Sequence, residues 1–391
     1  MLNALRKEKS NYLIYLLFVL AGMNFFTKGS VALLFLCVYT LFFTKVKNLK
    51  ADFTFLILVA FSLFASASCL LTMPLKSCIL EIIKLMNYPL LYLVGRITYA
   101  KQKDKRGFFD RVLCCMFLGC FFNIVLTLAY NLIVYGINGR VLYSFWTKGP
   151  IAVTLVGVFS SVVIGWSFYA LFLSKKRSCI IVAIVALVVM FYINFETATR
   201  TPILLFFILY FFMFVILWLN SKQKNVARAI IAFIGLFLAG TCIYILDLFN
   251  IQTLLQETPL FQRFSEEGME TGRWEISLKF FKYMPEYFWG GSNISKIVGS
   301  LGHSVWLEAY DVYGCFSSLC LIIVTVKIVG NLIKLISRKI KKDVVDYAYI
   351  GLAIAILIQC ALEPIVTGFP IVFWFLLFLD GMLKERLKAR K

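Results

Sequence analysis

Long, nearly unbroken apolar runs recur from one end of this chain to the other, and they restrict its fold more than any other feature. Residues 203–219, for example, contain no charged side chain at all. A soluble domain is about 45–50% apolar. Here 61% of 391 residues are hydrophobic and only 15% are charged. That much apolar surface needs a bilayer as its solvent. At ~20 apolar residues per spanning helix, the content suffices for about twelve helices. The composition excludes a secreted, cytosolic or fibrous protein. It also excludes an outer-membrane barrel, whose strands alternate apolar and polar residues. Aromatic residues reach 17%, with 39 Phe, which suits lipid-facing walls and interfacial belts.

The spans predicted from these runs are 11–26, 29–44, 53–73, 78–95, 112–136, 151–173, 179–195, 203–219, 229–247, 304–330, 347–362 and 369–383. The expected fold is therefore all-α: one polytopic membrane domain over 1–391, with about 12 transmembrane helices. Spans 1 and 2 are the exception to strict crossing, because their tight link also allows one re-entrant hairpin. Net charge is +20, from 40 Lys+Arg against 20 Asp+Glu. In a polytopic chain, such an excess collects in cytoplasmic loops rather than on nucleic acid. With both termini cytoplasmic, the inner segments hold 28 basic residues and the outer segments ten. Arg6, Lys7 and Lys9 precede the first run without a clear small-residue cleavage site. The run reads as a retained first helix rather than a signal peptide.

Most connections are short, but residues 248–303 form a large outer loop. Long loops in compact chains are usually functional. Within this one, Trp274, Leu278 and Phe281 recur at helical spacing, with Glu275, Lys279 and Lys282 elsewhere on the wheel. This pattern predicts a short amphipathic helix, either lying on the outer membrane surface or covering the bundle. The 11 cysteines fall almost entirely within spans and form no CxxC pair. No disulfide framework, zinc site or other metal site is expected.

The single histidine, His303, stands where the large loop meets span 10. Histidine is the side chain best suited to take a proton near neutral pH, although a lone interfacial histidine is often structural. Glu308 follows five residues later, about 140° round a helix. An ionised carboxylate at depth is costly, so Glu308 is expected to line the same cavity rather than face lipid. Arg200 sits in the tight outer link Glu196-Thr197-Ala198-Thr199-Arg200-Thr201-Pro202. Its partner is either Glu196 or a phosphate, which the planar guanidinium grips with two parallel bonds. Arg263 and Arg273 lie in the large loop, with Glu266, Glu267, Glu270 and Glu275 as local alternatives to an anionic ligand. Arg263 is the weaker candidate.

Three motifs, in this order and spacing, resemble the bacterial O-antigen ligase and polysaccharide polymerase superfamily. They are Thr199-Arg200-Thr201-Pro202 at an outer hairpin, Gly272-Arg273-Trp274 opening the amphipathic stretch, and Gly302-His303-Ser304 followed by Leu307-Glu308 and Gly314. The family often has Asn where Ser304 stands and Ser where Thr199 stands. The motif match covers roughly residues 180–330, and the topology matches over the whole chain. The resemblance implies a GT-C-like glycosyltransferase of the bacterial cytoplasmic membrane, active on its outer face and needing neither metal nor cofactor. Its donor would be a glycan on undecaprenyl pyrophosphate, transferred with inversion to an acceptor sugar hydroxyl. His303 would serve as the base, and Arg200 and Arg273 would stabilise the leaving pyrophosphate, with Arg263 and Glu308 as further substrate contacts. The family also implies a chain-length regulator as a partner.

Two activities compete within that family. A polymerase adds the chain to another lipid-linked repeat unit, and a ligase moves it to lipid A-core. The polymerase is the preferred expectation. Outside the family, a polysaccharide flippase would also have about twelve spans, with Glu81, Lys84 and Asp247 as its coupling residues. The large outer loop argues against that reading.

Overall fold

A computed structural model describes residues 2–43, 50–137, 141–220, 230–231, 233–235, 238, 245–246, 251–267, 272–337 and 342–390. Among these residues, eight helices are long and apolar enough to cross a membrane. The protein is an all-α polytopic membrane protein. Its helices are α1 (Leu2–Gly22), α2 (Gly29–Phe43), α3 (Phe53–Thr72), α4 (Leu75–Leu85), α5 (Asn87–Ala100) and α6 (Lys105–Val134). After a two-stranded hairpin come α7 (Val153–Phe172), α8 (Arg177–Glu196) and α9 (Arg200–Asn220). Four short helices follow: α10 (Ile251–Gln256), α11 (Pro259–Glu267), α12 (Arg273–Tyr283) and α13 (Asn293–Val298). The last three are α14 (Val305–Ile336), α15 (Val344–Leu362) and α16 (Ile371–Lys388).

The eight long apolar helices match expected spans 3 to 8, 10 and 11, with α4 and α5 together forming one of them. Spans 1 and 2 correspond to the shorter apolar helices Asn11–Gly22 and Gly29–Phe42. Span 12 is α16, whose second half carries Asp380, Lys384, Glu385, Arg386 and Lys388. The span over 229–247 and the acidic candidate Asp247 lie largely outside the described residues. One element differs from the all-α expectation. Val141–Tyr143 pairs antiparallel with Pro150–Ala152 in the connection between α6 and α7. Asn131 fixes it, accepting from Tyr143 N and donating to Tyr143 O, each at 2.9 Å.

The chain, expected as one membrane domain, divides into two compact units. Unit 1 comprises Met1–Asn123, Gly272–Leu335 and Ile356–Lys391, and unit 2 comprises Ile124–Thr271 and Ile336–Ala355. The segment 248–303 is thus shared: α10 and α11 belong to unit 2, and α12 and α13 to unit 1. The tightest crossing in unit 1 joins α5 and α16. A Cβ at Gly95 would collide with the Phe378 carbonyl, and one at Gly381 with the Tyr92 carbonyl. Membrane helices associate through such close approach, because lipid tails supply no hydrophobic drive between them.

Helix α14 is broken at Gly314, where φ is 83° and ψ is 179°. Side-chain-bearing residues essentially never adopt that conformation. The backbone of residues 288–292 fills the break. Cys315 N donates to Phe288 O at 3.0 Å, Gly291 N to Val312 O at 3.2 Å, and Ser292 N to Asp311 O at 2.8 Å. The Asp311 carboxylate then accepts from Ile294 N at 2.9 Å and Ser295 N at 3.2 Å, opening α13. The glycine spaced after His303 therefore lets the backbone of residues 288–292 lock into the long apolar helix.

Candidate active site

His303 immediately precedes α14 in unit 1. Ser304 starts the helix as its N-cap, its Oγ accepting from Leu307 N at 3.2 Å. Ser is among the best N-cap residues. Gly302 is needed beside it, because a Cβ there would approach the Leu307 side chain to 2.8 Å. These contacts set the direction in which His303 leaves the loop. Its ring is half-buried, and its Nδ1 is shielded from solvent with no hydrogen-bond partner among the described residues.

Arg273 begins α12, the amphipathic helix that the spacing of Trp274, Leu278 and Phe281 predicts. The helix forms, and a second apolar face packs inward. Phe280 is fully buried against Ile294, Leu307 and Tyr310, with Ile276, Tyr283 and Met284 around it. Trp274, Leu278 and Phe281 are exposed. Docking of Phe280 on the first turns of α14 holds Arg273 near His303. The guanidinium grips the end of α15: Nη1 donates to Leu362 O at 3.0 Å and Nη2 to Glu363 Oε1 at 2.8 Å. A cation at a helix C-terminus is favoured by the helix dipole, so part of this arrangement is structural. The local acidic alternatives are not used in this pair.

The electrostatics of His303 follow. Burial lowers its proton affinity below the ordinary histidine value, the Arg273 charge lowers it further, and Glu363 opposes them. A lowered value leaves the imidazole neutral at pH 7, with a lone pair free to take a proton.

Glu308 faces inward as expected, at 2% exposure, but its carboxylate is occupied. Val366 N donates to Oε2 at 2.6 Å, Thr367 N to Oε1 at 2.9 Å, and the Thr367 hydroxyl to Oε1 as well. It binds the turn between α15 and α16. Glu363 is the residue that sequence reasoning missed. A carboxylate at the end of an apolar span, just before Pro364, was the available signal.

Arg200 and Arg263 come together in unit 2. Helix α8 ends with Ala198 in the left-handed region, φ 53°, and Thr199 N returns to Asn194 O at 2.9 Å. This reversal places Arg200 at the start of α9. Its Nη2 donates to Arg263 O at 2.9 Å, and Arg263 Nη1 donates to Ala198 O at 3.1 Å. The two arginines thus brace the α8–α9 turn against α11. The pair that a transporter would use is joined directly: Lys84 Nζ lies 2.8 Å from Glu81 Oε2. Glu81 also accepts the Tyr313 hydroxyl at 2.6 Å. Models of known protein families give no match to this chain, and curated protein sequences give none.

Proposed function

We propose that the protein is a lipid-linked polysaccharide polymerase of the bacterial cytoplasmic membrane, acting at its outer face. The topology proposed is twelve spans with both termini cytoplasmic, which the 28-to-ten partition of basic residues supports. The observation that carries the reading is the sole histidine, half-buried at the start of a spanning helix and held neutral beside Arg273.

In the proposed reaction a hydroxyl of the acceptor glycan attacks the anomeric carbon of the donor. His303 takes the hydroxyl proton as the new C–O bond forms. The bond from that carbon to pyrophosphate breaks, and undecaprenyl pyrophosphate leaves with the electron pair. Attack opposite the leaving group inverts the anomeric centre. Charge grows on the pyrophosphate as it departs, and fixed cations aimed at growing charge are the largest source of such catalysis. Arg273 fits that task. Arg200 and Arg263 are further candidates on the resemblance alone. Donor and acceptor are both lipid-linked repeat units, and a chain-length regulator is a candidate partner.

The test is a glycan gel on cells lacking this gene, complemented with wild type or His303→Ala. The reading predicts single repeat units on the core in the deletion, a polymer ladder with wild type, and no ladder with the variant at equal protein level. Bare core with polymer still on the carrier would make the protein a ligase. Repeat units trapped on the inner face would make it a flippase and overturn the site.

A further inference from the structure

Glu308 was expected to touch substrate, yet both its oxygens are committed and almost none of it meets solvent. An ionisable group kept at such depth needs a reason, because burying it is costly unless donors satisfy it. Val366 and Thr367, 58 and 59 residues further along the chain, give it three donors, and the Gly368 backbone adds another. The turn they belong to starts at Glu363, whose N donates to Gln359 O at 2.9 Å, and closes where Phe369 N donates to Ile365 O at 3.0 Å. Glu363 lies only three residues before the first donor. Its carboxylate holds Arg273 at 2.8 Å, while Leu362 O takes a second guanidinium N–H. Arg273 and Glu363 are the two charged groups that act on His303. Glu308 and His303 thus leave the same end of α14 and meet again through the α15–α16 turn.

We propose that Glu308 is a positioning residue for His303. Fixing the α15–α16 turn places Glu363, and through it Arg273, beside the imidazole. The role in catalysis rests on the reading of His303 as the base, but the linkage itself is a property of the folded chain and is testable without activity.

The chain has one histidine, so histidine-labelled protein gives a single imidazole signal, and its titration by NMR reports His303 alone. The full-length protein in lipid nanodiscs would be titrated as wild type, Glu308→Gln, Thr367→Val and Arg273→Ala. Glutamine presents one acceptor oxygen and an NH2 donor where these donors converge, so the turn must loosen. Arg273 outweighs Glu363 in its effect on the ring. Releasing both should therefore move the His303 midpoint up, toward the ordinary value. Thr367→Val removes one donor without altering Glu308. It should move the midpoint in the same direction by less, and it serves if Glu308→Gln does not fold. In an Arg273→Ala background either change should add little, because coupled residues are not additive. Midpoints that match wild type, or shifts that simply add to that of Arg273→Ala, would overturn the proposal. A missing glycan phenotype alongside the expected titration would instead count against the enzymatic reading alone.

Discussion

Arg96 and Arg273 both face carboxylates in unit 1, but in different surroundings. Arg96 is 1% exposed, with Nε on Glu385 at 2.9 Å and Nη1 near Asp52 at 3.2 Å. Nη1 also donates to Lys50 O at 3.1 Å. Its carboxylates are themselves engaged: Asp52 accepts from Tyr92 Oη at 2.8 Å and caps α3 through Phe55 N, and Glu385 pairs with Lys388. Arg273 is 32% exposed and shares one carboxylate, Glu363. Beside it stands a half-buried histidine whose Nδ1 has no partner among the described residues. A saturated, dry arginine ties helices together. One about a third exposed beside a neutral imidazole suits the proposed contact with an anionic ligand.

The comparison breaks first on stability. Arg96→Ala leaves Asp52 and Glu385 facing each other in a buried site, and removing one partner of a buried ion pair costs about 3–5 kcal/mol. Thermal unfolding in detergent should show a large loss. Arg273→Ala removes one partner of Glu363, which is itself only 4% exposed, so it should also destabilise, but by less than Arg96→Ala, which leaves two carboxylates without their guanidinium. Equal losses would erase the distinction.

Activity should divide the other way. His303→Ala removes the proposed base and, on that reading, should reduce polymer formation by about 10²–10⁴-fold. Arg273→Ala removes a charge-stabilising group and should cost about 10²–10³-fold. Both rates are measured on purified protein with equal folded amounts. Gly314→Ala places a side chain at φ 83° against the Phe288 carbonyl. It should cost about 1–3 kcal/mol and loosen the outer loop to limited proteolysis, a smaller effect than that of Arg96→Ala.

The smallest effect is on pH. The proposed transfer needs neutral His303, so its rate should fall as pH drops through the His303 pKa. Burial and Arg273 lower that pKa, so the acid limb lies below the ordinary histidine range. Removing the guanidinium charge removes one lowering cause. The limb of residual Arg273→Ala activity should therefore move to higher pH, while Arg273→Lys keeps the charge and should leave it nearly in place. A pH–rate profile of each variant decides this.

What the sequence makes legible is what local pattern controls. Apolar runs give the helices, and the period of residues 274–283 gives α12. The motifs mark Arg273 and His303 as candidates but do not show that the two lie together. Local pattern cannot show pairings between distant segments. The inward turn of Phe280 depends on Leu307 and Tyr310. The duty of Glu308 depends on Val366 and Thr367, and that of Arg273 on Glu363, 90 residues further on. The reason for Gly314 is the loop backbone of Phe288 and Trp289. The hairpin at 141–152 escaped because three-residue strands are too short for a period-2 pattern to register.

The most direct test of the central claim is reconstitution. Purified protein in liposomes would receive an undecaprenyl-pyrophosphate-linked repeat unit, with and without EDTA. The account predicts a polymer ladder from wild type in both conditions and none from His303→Ala. A ladder from His303→Ala, or one from wild type only when magnesium is restored, would contradict it.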